Sequence, residues 1–253
     1  MNQSHRMKKL LLLLNDFPAS GKSTVAYCLS QYLQSLGANH QLKMLVKETD
    51  SDAEEHLMDA SRLTPHSLLK VLDDSAITIL EAATGQADCF GKFYTNHGLK
   101  SSLEEAGISL SVVLPVTHEM ESFDTVIEAV DVYSDRAEYT IVQWVSPSYE
   151  DEDQAWHCSY AARVMDMFGA GELQIPEISF ELDHQLQARD MDLTDILRDK
   201  ALQSLMGDDF SKWHKCVLNQ VHSARSYLFG EAFLPPLKPK LADKKIHAQS
   251  RVA

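Results

Sequence analysis

Several resources are scarce in this 253-residue chain, and each scarcity removes a class of protein. There are four cysteines, Cys28, Cys89, Cys158 and Cys216, far apart and without a Cys-x-x-Cys pair. That excludes a disulfide framework and reads as reduced thiols used mostly for packing. The eleven histidines are scattered, and neither His157-Cys158 nor His214 with Cys216 has the spacing of a closed zinc site. No Gly-x-Ser-x-Gly elbow occurs, and no internal repeat or long low-complexity tract. The longest leucine run, Leu10–Leu14, is far short of a membrane span. It is also too short for a signal-peptide core and is followed by no cleavage-type small residues, so a cytoplasmic location is expected. Basic residues are few: 23 Lys and Arg against 37 Asp and Glu, a net charge of -14. A body this acidic argues against a broad nucleic-acid-binding surface. Direct DNA contact is expected only through the C-terminal stretch, where Lys238, Lys240, Lys244, Lys245 and Arg251 stand against Asp243.

What is present is organised around Leu10–Thr24. An apolar run stops at Leu14, a turn of small residues follows, and a helical pattern begins near Ser23 with Val25, Leu29, Tyr32, Leu33 and Leu36 on one face and Gly37 at its end. Gly21-Lys22-Ser23 is the second half of a phosphate-binding loop joining a buried strand to a helix. A triphosphate would be cradled by Pro18, Ala19, Ser20, Gly21, Lys22, Ser23 and Thr24. Backbone N–H groups and the helix start would wrap the β-phosphate. Lys22 would reach the β- and γ-oxygens, the Ser23 hydroxyl would meet Mg²⁺, and Thr24 would touch the α-phosphate. The usual first glycine is replaced by Asp16. Glycine there normally permits a turn that a Cβ disfavours, and a carboxylate repels phosphate. The expectation is a site that survives with altered affinity or slow turnover.

Further along, apolar runs at Lys9–Leu14, Gln41–Lys47, Ala76–Leu80, Ile108–Val116, Glu138–Val145 and Leu173–Pro176 alternate with helical patterns. The alternation predicts an α/β fold, a mainly parallel central sheet with helices on both faces. Residues 1–230 read as the nucleotide-binding domain with C-terminal helices, and 231–253 as a Pro-rich, basic, flexible tail. Glu48 and Asp50 lie just past the second predicted strand, where such sheets open their ligand crevice, and either could orient a water. Equally, the segment reads as a solvated acidic loop and helix start. Glu81 closes the third predicted strand, where an acid completes the Mg²⁺ shell, or where a carboxylate caps a helix. The run Glu150–Asp153 reads as a solvated loop and helix start. Trp144, Trp156 and Trp213 read as core or interface residues rather than base-stacking platforms.

With these residues in view, the chain resembles the ParA/MinD group of P-loop ATPases, and within it the divergent TraL/StbB type of plasmid stability and conjugative transfer. Four segments carry the resemblance: Gly21-Lys22-Ser23-Thr24 with its helix; Glu48-Thr49-Asp50-Ser51-Asp52; Ile79-Leu80-Glu81-Ala82-Ala83-Thr84-Gly85; and Ile141-Val142-Gln143-Trp144-Val145. The resemblance implies ATP and Mg²⁺ as cofactors, with Lys22, Glu48, Asp50 and Glu81 as catalytic residues and Ser23 and Glu81 on the metal. It implies a nucleotide-dependent switch, a homodimer, and a protein partner such as a DNA-binding adaptor or relaxosome component. The group's signature lysine would fall at Phe17 and is missing, and Glu48 and Glu81 stand where aspartates are expected. Pro18–Thr24 is also similar to small P-loop kinases, the alternative reading. Arg62, Arg136, Arg163, Arg189 and Arg198 are too dispersed for a kinase lid. A further alternative is a scaffold that keeps the fold without hydrolysis.

Overall fold

The computed structural model describes residues 7–48, 56–145, 152–230 and 233, with 152–154 as backbone only. Asp50, Glu150 and Asp151 of the acidic run, and the basic tail lie outside the described residues.

The first strand, β1 (Lys8–Leu13), carries the leucine run and is buried along its apolar length. Leucine on both faces suits a strand covered from both sides. Leu10, Leu12 and Leu14 enter one hydrophobic core; Leu11 and Leu13 enter the other. α1 (Lys22–Ser35) returns the chain to β2 (His40–Val46), and the short β3 (Leu57–Asp59) forms an edge that the apolar pattern did not reveal. α2 (Pro65–Asp73) starts at Thr64-Pro65, a cap followed by proline: Thr64 Oγ1 accepts from Ser67 N at 3.1 Å, and Ser67 Oγ accepts from Thr64 N at 2.9 Å. β4 (Ile77–Ala82), α3 (Ala87–Asn96), α4 (Leu99–Glu105), β5 (Ile108–Val116), α5 (Asp124–Tyr133) and β6 (Ala137–Val145) follow. Glu81 therefore lies within β4, level with Leu13 of β1, rather than beyond the strand's end.

The C-terminal third departs further from the sequence pattern. The sequence from Ala155 to Phe168 reads as helical throughout, but it folds as two helices, α6 (Glu152–His157) and α7 (Tyr160–Met167), because Ser159 Oγ accepts from Ala162 N at 3.0 Å and restarts the chain. β7 (Gly171–Pro176) leads to α8 (Phe180–Gln187), α9 (Leu193–Arg198) and the long α10 (Lys200–Phe229). α10 bends at Gly207, whose φ of 69° and ψ of -145° are open to glycine alone.

The seven strands are all parallel, in the order β3-β2-β4-β1-β5-β6-β7. Helices α2 to α7 cover one face; α1 and α8 to α10 cover the other. From β1 the chain crosses towards β2, and from β5 towards β6, so connections leave these neighbours in opposite directions. Their C-terminal ends form the switch point where open α/β sheets hold ligands. At the other end of β1, Lys9 is buried, pairs with Glu138 at 2.6 Å, and lies 6.0 Å from the Phe233 ring centre.

Candidate nucleotide phosphate site

The loop from Asn15 to Gly21 leaves β1 at this switch point. Asn15 is fully buried: its Nδ2 donates to the carbonyls of Pro115 (2.7 Å) and Ser122 (3.0 Å), and its Oδ1 accepts from Phe17 N (2.8 Å). These bonds fasten the loop to the segment between β5 and α5. Asp16 N donates to Thr125 Oγ1 at 3.4 Å, while Asp16 Oδ1 accepts from Gly85 N at 2.7 Å and Ala87 N at 3.4 Å. Its carboxylate is thus spent on the start of α3. The left-handed backbone expected at position 16 is found instead at Ala19 (φ 56°) and Gly21 (φ 82°).

Gly21 is required twice over. Its φ lies in the left-handed region, and a Cβ there would sit 2.3 Å from Cζ2 of Trp144. The Trp144 Nε1–H donates to the Ser20 carbonyl at 3.0 Å, so the end of β6 is pressed against the loop. The N–H groups of Ala19, Ser20 and Gly21 have no acceptor among the described residues, and no side chain caps the start of α1. Uncapped N–H groups at the head of a 14-residue helix make a ready anion site.

Lys22, only 6% exposed, folds its ammonium back onto the Asn15 carbonyl, with Ser20 Oγ and Thr84 Oγ1 each 3.5 Å away. Burial lowers its pKa, against the opposing pull of Glu81 and Asp16. Ser23 Oγ donates to Glu81 Oε1 at 2.5 Å, and Glu81 is 3% exposed. Burial pushes the Glu81 carboxyl up, and the Ser23 hydroxyl, Lys22 and Arg198 pull it back. A buried carboxylate beside a serine hydroxyl is a hard-oxygen pair that suits Mg²⁺. The two oxygens fall short of a full cage, and among the described residues no group of three His, Cys, Asp or Glu could hold a metal unaided. Mg²⁺ commonly takes its remaining ligands from phosphates and water.

Two clefts meet here and share Ala19, Gly21, Thr24, Ile178, Asp183 and Leu193. The smaller, about 620 Å³, holds Lys22, Ser23, Glu81 and Thr84 on one side and Asp192 and Thr194 on the other. The larger, about 830 Å³, runs past Trp144, His118, Glu177 and Phe180. Of the residues read from sequence, the structure brings Ala19 to Thr24 and Glu81 together. Pro18 is exposed at the loop tip. Glu48 is exposed just past β2 and lines neither cleft; Asp50 lies outside the described residues. The pattern missed Asn15, Thr84, Thr125 and Trp144. Asn15 alone carried a signal, a polar residue directly abutting a fully buried strand. Trp144 stood in one of the segments that carry the resemblance and read as a core or interface residue, and its place against the phosphate loop had no sign in the sequence.

The fold and the site together define an α/β protein with an all-parallel sheet and an anion-ready loop at its switch point. No protein-family model and no curated protein matches the chain. Among solved structures it aligns with the MinC:MinD cell division protein complex of Aquifex aeolicus at 11% identity, with a TM-score of 0.42, over 79% of this chain and 96% of that one. At that TM-score the likeness assigns nothing to this chain. No described helix is long and apolar enough to cross a membrane.

Proposed function

We propose that this chain is a ParA/MinD-type nucleotide-binding protein that takes Mg-ATP at the Asn15–Thr24 loop and hydrolyses it slowly. The observation that carries the reading is the pairing of a nearly buried Lys22 with the Ser23–Glu81 contact, at the head of an uncapped helix. The loop amides and Lys22 meet the phosphates, Ser23 and Glu81 hold Mg²⁺, and the larger cleft takes the base and ribose. The bound cation neutralises phosphate charge at the transferring end. It is also needed for binding, because Glu81, Asp183 and Asp192 outnumber Lys22 in the smaller cleft.

Slow turnover follows from what surrounds the phosphates. Glu48 is exposed and away from both clefts. The Asp192 carboxylate caps α9, accepting from Asp195 N at 2.9 Å. Asp50 is the remaining candidate for orienting a water. In this reading the bound nucleotide sets dimerisation or partner binding in plasmid partition, stability or conjugative transfer, with an adaptor or relaxosome protein as partner. A small-molecule kinase is disfavoured: no arginine lines either cleft among the described residues.

Calorimetric titration of the purified protein with Mg-ATP, beside Lys22→Ala, tests the reading. Wild type binds, and the variant is weaker by about 100-fold or more, roughly 2.7 kcal/mol. Equal binding by the two, or none by either, sinks it.

A further inference from the structure

Trp144 does more than fill space. Its Nε1–H bonds the Ser20 carbonyl at 3.0 Å, its ring lies against Gly21, and the same ring lines the larger cleft. A trans peptide is planar, with its C=O and the next N–H pointing in opposite directions. Holding the Ser20 carbonyl towards the indole therefore turns the Gly21 N–H away from it. That N–H is one of the loop donors without an acceptor among the described residues. Gly21 itself lines both clefts, so its amide is placed where a ligand spanning them would pass.

The loop needs such a holder. Ala19 and Gly21 both sit in the left-handed region, Ala19 at a conformational cost. Asn15 and Asp16 fasten the first half of the loop to β5, α3 and α5, and leave the Ser20–Gly21 peptide unsecured. The hydrogen bond from Trp144 supplies the missing fixture from β6.

We propose that Trp144 is a positioning residue, which sets the Ser20–Gly21 peptide and so aims the Gly21 amide at a bound phosphate. The proposal rests on the phosphate-site reading above, and it makes the indole the tie between the larger cleft and the phosphate loop. It distinguishes Trp144 from a wall of the base cleft, which would matter only to ligands that carry a base.

The test uses Trp144→Phe, which keeps an aromatic ring and removes the N–H donor. Two probes are titrated with Mg²⁺ present: ATP, and inorganic tripolyphosphate, which has no base. Both are expected to bind about 10-fold more weakly to the variant than to wild type. A loss confined to ATP, or no loss with either, overturns the proposal. A second measurement needs no ligand. Amide hydrogen exchange at Val25, whose N–H donates to the Gly21 carbonyl at 3.0 Å, is expected to speed up several-fold in the variant while exchange in β4 stays unchanged. Unchanged exchange at Val25 overturns the proposal, and so does equal acceleration in β4, which marks a generally loosened fold. If wild type binds neither probe, the nucleotide reading fails, and the exchange result alone decides whether Trp144 holds the loop.

Discussion

Asp16 Oδ1 accepts a hydrogen bond from the backbone N–H of Gly85 at 2.7 Å, across 69 residues of sequence. The residue that looked like damage to a phosphate loop is a clamp between that loop and the turn leading to α3. Asp16→Ala should cost about 1.5–3 kcal/mol of stability in urea unfolding, the range for a hydrogen bond to a charged group. Asp16→Asn, which keeps an acceptor oxygen, should cost less. Asp16→Gly, which restores the common loop residue, should be no better than alanine, because the left-handed positions are 19 and 21. A stabilised glycine variant would refute this account.

Asn15 is a second structural fixture of the loop. Its amide satisfies two carbonyls in a fully buried position. Asn15→Ala leaves both unpaired, and a loss of about 2–4 kcal/mol is expected from denaturant titration. Asn15→Asp should be at least as harmful, since a carboxylate cannot donate to the carbonyls of Pro115 and Ser122. Near-wild-type stability of either variant would contradict the geometry.

Gly21→Ala meets two penalties together, a left-handed backbone and a Cβ 2.3 Å from the Trp144 ring. A destabilisation of about 1–3 kcal/mol is expected, together with loss of ATP binding. The double change Gly21→Ala with Trp144→Ala removes the clash and should recover part of the stability. Strict additivity of the two single changes would show that the indole and the glycine do not interact.

Glu81 makes the site pH-dependent, with a sign that can be worked out. Burial raises its folded pKa above the ordinary carboxylate value, so over that window the folded chain holds more protons than the unfolded one. Stability of the unliganded protein from this group is therefore greatest at acid pH and falls as pH rises through the window. In the proposed site Mg²⁺ would need the ionised carboxylate, so on that reading Mg-nucleotide binding should strengthen over the same rise and release a proton. Glu81→Gln should flatten the pH dependence of thermal melting and abolish the proton release, measured by calorimetry in two buffers of different ionisation enthalpy. Proton release that persists in the glutamine variant would place the titrating group elsewhere.

Much of the fold was legible in the sequence because its strands are uniformly apolar and its helices alternate with them. The strand at Ile108–Val116 matches the pattern to the residue, and the start of α2 is legible in Thr64-Pro65, a cap followed by proline. The edge strand β3 escaped notice because three half-buried residues, Leu57 to Asp59, give too short a signal. The split between α6 and α7 turned on Ser159, a cap that does not interrupt the apolar periodicity. At the site, residues contiguous with the Gly-Lys-Ser core could be read directly. Those arriving from elsewhere in the chain, Thr84 after β4, Thr125 on α5 and Trp144 on β6, became visible only when the fold brought them to the loop. Asp16 was legible as an anomaly, whereas its bond to Gly85 is a tertiary fact that spacing does not contain.

The leucine run in β1 has a consequence for how the site finds its place. Sliding this strand by one residue between β4 and β5 would put leucine where leucine already stood, on both faces. Hydropathy, which usually forbids such a slip, is blind to it here. The frame is set by what terminates the run. Lys9 must meet Glu138 at one end, and Asn15 must meet the carbonyls of Pro115 and Ser122 at the other. β1 behaves as a greased rod between two polar stops, and the stop at Asn15 decides where along the sheet the phosphate loop begins.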